Sequence, residues 1–268
     1  MIRGRNDVRT GQAMMSDLQH YYDIVVTLAK KDFKIRYRNS VLGFLWSLLN
    51  PLAYMLILTA VFGYLLRSSI ANFPSFLLLA LLVWRFFSVG TSSSLYSIVG
   101  NPSFITKVRV PRFLIVLSAN VASTYGAILE FVALFPVLIF LGIRITFLVL
   151  LLPVLIAMEF VLIFGVSLAL AALNTKYRDF NQLWDITLQL GFFICPIVYD
   201  ASLIPVRYRF VYFLNPVTRL IDAARDIFLF GLPPSLTDYM VVVVASAILI
   251  LIGGGIFRSF ERGFAEEL

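Results

Sequence analysis

Long apolar runs, each ended by a charged or turn-forming stretch, dominate the pattern of this chain. They fall at Val41–Leu66, Phe73–Ile98, Phe113–Gly142, Ile145–Leu173, Leu183–Tyr199 and Tyr239–Phe257. A helix of about 20 apolar residues crosses the hydrocarbon layer of a membrane, where an open backbone group finds no partner. The pattern therefore predicts an all-α membrane protein with six transmembrane helices.

The Lys and Arg residues between the runs indicate how the spans are oriented. Five cations lie between Lys30 and Arg38, in the sequence KKDFKIRYR directly before the first run. Fifteen of the 22 Lys and Arg residues fall on the side of the predicted bundle that holds both termini. Cytosolic loops carry the Lys/Arg excess, so we expect both termini in the cytosol. Four of the other cations lie in one external connection, which reduces this contrast without reversing it.

An N-terminal segment has a helical pattern but is too polar to span. Ser16-x-x-Gln19 has the form of a capping box, and apolar residues follow it at helical spacing up to Ala29. This predicts an amphipathic helix along the cytosolic interface, within a cytosolic segment 1–40 that precedes a single spanning domain 41–258. The alternative is a solvated amphipathic helix. Residues 259–268 would form a cytosolic tail.

The connection before the last span also has a helical pattern. Asn215 and Pro216 suit a helix start, an apolar stripe continues to Phe228, and Gly231 would end the helix. We expect a re-entrant or interfacial pair of helices on the external side, a form that tends to line or cover a pathway. Their polar face would carry Arg219, Asp222, Arg225 and Asp226.

Composition supports a membrane protein and limits its chemistry. The chain is 60% hydrophobic and 14% charged, with a mean hydropathy of +0.90. Its net charge of +7 is explained by cations beside apolar spans, so nucleic acid is not an expected partner. His20 and Cys195 are each the only residue of their type, so we expect no metal site and no catalysis. The chain also lacks a GxxxxGK[ST] loop, so we expect no cofactor in this chain and ATP on another subunit.

Four ionisable residues fall inside the apolar runs, namely Arg85, Glu130, Glu159 and Asp185. A charge at membrane depth is costly unless it is paired or hydrated. Pairing between helices explains these residues without transport. Contact with a substrate and proton coupling are the two functional alternatives.

Three sequence blocks resemble the membrane permease subunits of type-2 ABC exporters, which move bacterial polysaccharides such as O-antigen, capsule or teichoic acid. The first is DFKIRYRNSVLGFLWSLLNP at Asp32–Pro51, and the second is LNTKYRDF at Leu173–Phe180. The third is CPIVYD, which leads into IPVRYRFVYFLNPVTRLIDAARDIFLFG. With the matching number of spans, the resemblance covers nearly the whole chain.

The resemblance implies a homodimer in the bacterial cytoplasmic (inner) membrane. Two copies of a separate cytosolic ABC ATPase, which bind ATP and Mg, would dock on it. The cargo would be a lipid-linked polysaccharide. The external helices, at about 201–230, would gate its exit, with Arg219, Asp222, Arg225 and Asp226 as the candidate gate residues. The family's coupling helix would lie at about 101–108, where Asn101-Pro102 by itself suits a helix start; an ordinary turn is the alternative. Its candidate contacts are Asn101, Pro102, Ser103, Phe104, Ile105, Thr106 and Lys107.

Two sets of residues are candidates for cargo contact. Sugar rings stack on aromatic side chains, and spans one and five contain Asn50-Pro51 and Cys195-Pro196, where bends open space. The candidate lining residues are Phe44, Trp46, Tyr54, Phe192, Phe193 and Tyr199, although packing and membrane anchoring also use aromatic residues. Candidates for a pyrophosphate or a lipid head group are Lys30, Lys31, Lys34, Arg36 and Arg38.

Three other functions share some of these features. An exporter of a small drug or lipid would have the same spans and the same ATPase partner. A structural or interaction membrane protein would have no ATPase. A carrier driven by a proton gradient would not need ATP.

Overall fold

The computed structural model describes residues 3–37, 43–107 and 110–267. The protein is 81% helical, with no strand among these residues, which confirms the predicted all-α class. The helices are α1 (Arg3–Tyr37), α2 (Leu45–Leu58), α3 (Phe73–Leu95), α4 (Pro102–Lys107), α5 (Phe113–Phe140), α6 (Leu152–Lys176), α7 (Phe180–Ile194), α8 (Val206–Phe213), α9 (Pro216–Arg225), α10 (Leu236–Glu261) and α11 (Phe264–Glu267). Two π-helical segments, Thr59–Leu65 and Asp226–Phe230, continue α2 and α9, and short 3₁₀ segments cover Phe147–Leu151 and Ala201–Leu203.

Among the described residues, five helices are long and apolar enough to cross a membrane. They cover Leu45–Leu65, Phe73–Leu95, Phe113–Phe140, Phe147–Lys176 and Leu236–Glu261. These correspond to the first four predicted spans and to the last one. The bundle is therefore a multi-pass membrane domain.

The predicted fifth span, Leu183–Tyr199, overlaps the shorter helix α7. Its 15 residues rise about 22 Å, which is less than the hydrocarbon thickness of about 30 Å. The helix stops at Ile194 because Cys195 precedes a proline and takes an extended conformation, with ψ at 148°. A sixth crossing stays a prediction.

Helix α3 is the centre of the bundle. In the apolar stretch of α3, 72% of the residues are buried, compared with 17% in α2 with its π-helical extension. It packs against α2, α5, α6 and α9. Helices α2 and α7 carry exposed apolar side chains along much of their length, including Leu56, Ile57, Leu190 and Phe193. The bundle therefore has a buried centre and a side that the described residues leave uncovered.

Helices α6 and α10 form the most extensive helix pair and meet through two glycines. A β-carbon on Gly165 would lie 2.9 Å from the backbone nitrogen of Ile250, and one on Gly253 would overlap the carbonyl oxygen of Gly165. Glycine at these positions lets the two backbones touch, as small residues do in membrane helix pairs. The last span is thus tightly joined to the fourth.

Helix α1 begins at Arg3 and continues to Tyr37, so the predicted helix start at Ser16 is wrong. The Ser-x-x-Gln pattern occurs inside a helix because a capping box is defined by four residues, and four residues do not determine where a helix begins. From Val25 onward α1 buries one face, including Leu28, and it packs along α5.

Buried apolar residues form two separate cores. The larger one surrounds α3 and includes side chains of α2, α5, α6, α9 and α10. The smaller one lies where α3 and α6 end, and it joins them to α1, α4, α10 and α11. The short helix α4 therefore lies over a small core of its own.

Candidate functional site

A cavity of about 510 Å³ opens between α2, α3 and α7, and we call it the aromatic cavity. Trp84 meets Phe192 edge-on with ring centroids 6.3 Å apart, and Phe192 meets Phe193 edge-on at 5.3 Å. The cavity is lined by Asn50, Pro51, Tyr54, Leu58, Leu81, Trp84, Arg85, Ser88, Leu188, Gln189, Phe192 and Phe193. It presents ring faces and edges together with a few polar groups.

A second cavity of about 570 Å³ lies on the other side of α2, toward α1 and α5, and we call it the polar cavity. It is lined by Arg36, Gly43, Trp46, Ser47, Leu49, Asn50, Ala53, Arg85, Val89 and Glu130. Asn50 and Arg85 line both cavities. These two side chains therefore separate a largely apolar space from one that contains two cations and a carboxylate.

Arg85 makes two hydrogen bonds at this boundary. Its Nε donates to Oε2 of Glu130 at 2.9 Å, and its Nη1 donates to Oδ1 of Asn50 at 3.0 Å. The two charged side chains are 23% and 11% exposed. The contacts join α3 to α5 and α2. The charge of Arg85 is therefore paired between helices, which is the interpretation of the intramembrane charges that requires no role in transport. Because Arg85 and Glu130 also line cavities, pairing and substrate contact are compatible.

Glu159 on α6 is not part of this pair. It is 3% exposed, and its Oε1 has no hydrogen-bond partner among the described residues. The sequence offered both Glu130 and Glu159 as acidic residues inside the apolar runs, and the structure pairs Arg85 with Glu130. A contact across 45 positions of chain leaves no local signal in the sequence.

The predicted aromatic residues occupy different places. Tyr54, Phe192 and Phe193 line the aromatic cavity, and Trp46 lines the polar cavity. Tyr199 instead donates its hydroxyl to the carbonyl oxygens of Phe193 and Ile194, near the end of α7. Phe44 stands directly before α2. The structure therefore brings three of the six predicted residues into one cavity.

Sequence reasoning missed several lining residues. Trp84 and Gln189 face the aromatic cavity with Ser88, and Asn50 contributes its amide to both cavities. The available signal was a set of polar residues inside apolar runs, with Trp84 directly before Arg85. Such residues are expected to face a bundle interior or a cavity.

Two members of the predicted basic cluster make hydrogen bonds with side chains of the described residues. Lys31 donates to Oδ1 of Asn101 at 2.6 Å, while Arg36 donates to the hydroxyls of Ser93 and Ser123 at 2.7 and 3.3 Å. Lys30 and Lys34 are exposed. Arg38 lies outside the described residues. Arg36 is thus the cluster member that lines the polar cavity.

The predicted coupling segment is a helix. Helix α4 starts at Pro102, as Asn101-Pro102 suggested, and Ile105 is 8% exposed. Phe104 packs against the smaller core. Position 108 of the predicted segment, and the side chains of Ser103, Thr106 and Lys107, lie outside the description. The backbone therefore has the predicted helical form over Pro102–Lys107.

The four predicted gate residues lie around one cavity of about 280 Å³ beside α9, and we call them the α9 cluster. Helix α9 begins as predicted, because Asn215 Oδ1 accepts a hydrogen bond from the Val217 backbone at 3.0 Å. Asp200 and Asp238 line the same cavity. The cavity is thus lined by the two cations and two carboxylates of the α9 cluster and by two further carboxylates.

Arg225 is the most buried member of the α9 cluster, at 3% exposed. Its Nη2 donates to the carbonyl oxygens of Pro196 at 2.6 Å and Ile197 at 3.3 Å, while its guanidinium lies 3.3 Å from the centroid of the Phe76 ring. These carbonyls belong to the non-helical segment after α7. Arg225 therefore satisfies backbone groups that a helix would have satisfied.

The charges near Arg225 also affect one another. Burial raises the pKa of Asp222 to about 7; Arg225 opposes this rise, and the carboxylates of Asp238 and Asp226 add to it. Burial lowers the pKa of Arg225 to about 10, so it stays charged at neutral pH. Arg219 is paired with Asp238 at 2.7 Å. Asp222 is thus the group in the α9 cluster whose charge changes near neutral pH.

Among the described residues, no group of three or more His, Cys, Asp or Glu side chains could hold a metal ion. Two of the carboxylates near α9, Asp238 and Asp222, are paired with Arg219 and Arg225. The polar groups found here suit binding and helix pairing.

Helices that cross a membrane and enclose polar cavities define the class: a multi-pass membrane protein with the architecture of a permease. The chain belongs to the ABC-2 type transporter family, whose sequence profile matches residues 24–229.

Individual relatives match almost the full chain. The O-antigen export system permease protein RfbA of Klebsiella pneumoniae is 31% identical over 95% of this chain and 98% of its own length. The protein of the same name from Myxococcus xanthus is 30% identical over 95% of this chain and 99% of its own length. The polysialic acid transport protein KpsM of Escherichia coli is 23% identical over 89% and 93%.

Proposed function

We propose that this chain is the permease of an ATP-driven exporter that moves a lipid-linked, O-antigen-like polysaccharide across the bacterial cytoplasmic membrane. The observation that carries this proposal is the match to O-antigen export permeases along 95% of the chain. A relative that transports polysialic acid supports a polysaccharide as the class of cargo. Export of a small drug or lipid by the same kind of complex is the second candidate.

The aromatic cavity would provide the surface along which the polymer moves. Rings such as Tyr54 and Phe193 are 52% and 65% exposed, so they offer shallow contacts. A sliding polymer needs contacts of this kind, because a deep pocket would hold each sugar too firmly. Arg85 and Asn50 would supply hydrogen bonds to sugar hydroxyls at the boundary with the polar cavity.

A second copy of the chain would close the passage. Helices α2 and α7 border the aromatic cavity and carry exposed apolar side chains, so two copies that meet along them would enclose the cavities of both. In this arrangement α7 and the segment up to Tyr199 complete a sixth crossing. Both termini would then lie in the cytosol, as the distribution of Lys and Arg predicts.

The ABC ATPase would dock on α4. The ATPase would bind ATP and Mg, since this chain has no P-loop sequence.

Lys30 and Lys34 would meet anionic lipid head groups, and Arg36 in the polar cavity would meet the lipid-linked pyrophosphate of the cargo. The α9 cluster would control the exit on the other side of the membrane.

The test replaces Tyr54, Phe192 and Phe193 by Ala in cells that depend on this chain for surface polysaccharide. We expect polysaccharide at the cell surface to fall strongly while the ATPase still co-purifies. The matched control replaces one Tyr and two Phe outside both cavities, namely Tyr64, Phe140 and Phe147, which are 79%, 89% and 93% exposed. Equal export by the two triple variants would contradict the lining role.

The source of energy separates the proposal from a carrier driven by a proton gradient. In sealed vesicles that contain the chain and its ATPase, we expect export to stop when ATP is depleted and the proton gradient is kept. Continued export under these conditions would favour the carrier. Arg85 and Glu130 would then be the first groups to examine for proton transfer, because they pair inside the membrane domain.

A further inference from the structure

The smaller core surrounds the helix on which the ATPase would dock. It contains buried side chains from α1, α4, α5, α6, α10 and α11, and from the residues after α3. Its members are Leu28, Ile98, Ile105, Ile115, Val116, Leu168, Ala171, Ala172, Phe257 and Phe264. Helix α4 therefore rests on side chains that come from nearly the whole length of the chain.

Helix α4 needs this support because it is short. Six residues form fewer than two turns, and isolated helices shorter than about 12 residues are marginal in water. Its position must come from packing and from contacts at its ends. Two such contacts are visible, one from α1 and one from α11.

Helix α11 contributes Phe264 to the smaller core, which also contains Ile105 of α4. The Phe264 side chain is 2% exposed, and its ring meets that of Phe257 on α10 edge-on, with centroids 5.4 Å apart. The guanidinium of Arg112, which precedes α5, lies 5.9 Å from the ring centroid. Helix α11 contacts α4 directly. Phe264 thus packs at the end of the last span and near the start of the third, in the same core as Ile105 of α4.

The contact from α1 is a hydrogen bond at the start of α4. Lys31 Nζ donates to Oδ1 of Asn101 at 2.6 Å, and the Asn101 amide donates to the carbonyl oxygen of Ser97 at 2.9 Å. Asn101 is 8% exposed while Lys31 is exposed, so this contact is partly buried. It holds the beginning of α4 against both α1 and the end of α3.

We propose that Phe264 is a positioning residue for coupling: with Lys31 it holds α4 from two sides, so that movement of a docked ATPase is transmitted to the spans. This inference rests on the proposed function, in which α4 is the docking helix. A short helix held at one end only would rotate under load. Held from both sides, it would pass displacement to α10 through Phe264 and to α1 through Lys31.

The first experiment measures α4 without the ATPase. Amide hydrogen exchange over 102–107 is compared in the full chain, in Phe264→Ala and in Phe131→Ala. Phe131 is 4% exposed and belongs to the larger core, so it matches Phe264 in side chain and burial but lies away from α4. We expect exchange in α4 to rise by about tenfold in Phe264→Ala and to stay near the original rate in Phe131→Ala. Unchanged exchange in Phe264→Ala would overturn the proposal.

The second experiment measures coupling in the complex with the ATPase that co-purifies with the chain. We expect Phe264→Ala to keep ATP hydrolysis but to export about fivefold less polysaccharide per ATP, as a weakened local structure would produce. Phe264→Leu, which keeps an apolar side chain in the core, should recover most of this ratio. Phe131→Ala should lower the amount of complex without changing the ratio.

The outcomes separate this inference from the proposed function. If no ATPase co-purifies with the unmodified chain, the proposed function fails, and the exchange experiment still tests the support of α4. If the unmodified complex exports and Phe264→Ala exports equally per ATP, the positioning role is wrong while the proposed function stands. Lys31→Met provides an independent check. Because it removes the second contact, the double variant of Lys31→Met with Phe264→Ala should export less polysaccharide per ATP than Phe264→Ala alone.

Discussion

Arg85 and Arg225 are both enclosed by the bundle, yet they are held in opposite ways. Arg85 lies between two cavities and binds side chains, the Glu130 carboxylate and the Asn50 amide. Arg225 is 3% exposed and binds backbone carbonyl oxygens of the segment after α7. Side-chain partners can rotate away, whereas a carbonyl is fixed by its chain. We therefore expect Arg85 to change hydrogen-bond partners during function and Arg225 to keep the same partners.

The largest effect is expected at Arg225. In Arg225→Met the carbonyl groups of Pro196 and Ile197 lose a charged donor, and a buried polar group without a partner costs about 1–3 kcal/mol. We expect the free energy of unfolding to fall by about 2–5 kcal/mol. Thermal unfolding in detergent, followed by the fluorescence of the three Trp residues, measures the change.

A matched control for Arg225 is available on α8. Arg207 is exposed and lies 5.8 Å from the Tyr208 ring centroid, so Arg207→Met removes the same group from a solvated position. We expect this variant to stay within about 0.5 kcal/mol of the original stability. Equal losses in the two variants would show that burial of Arg225 contributes nothing to the fold.

At Arg85 we expect a smaller effect on stability and a larger one on export. Hydrogen bonds between membrane helices contribute about 0.6 kcal/mol on average, and up to about 1.7. In a double-mutant cycle of Arg85→Met with Glu130→Gln, we predict a coupling free energy of about 1 kcal/mol. Export should fall in each single variant while folded protein is still recovered.

The cycle has an internal control. Glu159 is also buried in the bundle but is not paired with Arg85 in the described structure. Combining Arg85→Met with Glu159→Gln should therefore give additive losses. Coupling with Glu159 in place of Glu130 would contradict the pairing seen here.

Asp222 tests whether the surroundings of Arg225 respond to pH. Its pKa is about 7, against an ordinary value of 3.8, so the folded state keeps a proton that the unfolded state has already lost between these values. Stability from this group is therefore fully present below about pH 4 and is lost as the pH rises toward 7. Asp222→Asn should remove this slope in melting temperatures measured from pH 4 to 8. An unchanged slope would assign it to other groups, such as Asp226, whose pKa is raised too.

A small stability effect is also expected at Asn50, which is exposed and lines both cavities. In Asn50→Leu the Arg85 guanidinium loses one acceptor but keeps Glu130. We expect a loss below about 1 kcal/mol, measured by the same unfolding assay. If Asn50→Leu were as destabilising as Arg225→Met, the contrast between the two arginines would disappear.

Much of the fold was predictable because hydrocarbon imposes simple requirements. Apolar runs located five helices, Asn215-Pro216 located the start of α9, and Asn101-Pro102 located the start of α4. These signals are local and need only a few residues. The start of α1 was wrong, because the pattern at Ser16 recurs inside a longer helix.

The candidate site was harder to predict because its contacts join distant parts of the chain. Arg225 and Phe76 are 149 positions apart, and nothing near Arg225 in the sequence marks the carbonyl groups that it binds. Helical spacing placed Arg225 on a polar face, yet it is buried. By contrast, Tyr54, Phe192 and Phe193 were predictable, since bends near prolines suggested where space would open.

The contact of Gly165 with Gly253 has a mechanical consequence. Because the two backbones touch there, we expect α6 and α10 to move together as one rigid unit. Under the proposed function, opening and closing would then be carried by α2 and α7, whose apolar side chains are exposed. The glycine pair would thereby divide the molecule into a rigid part and a moving part.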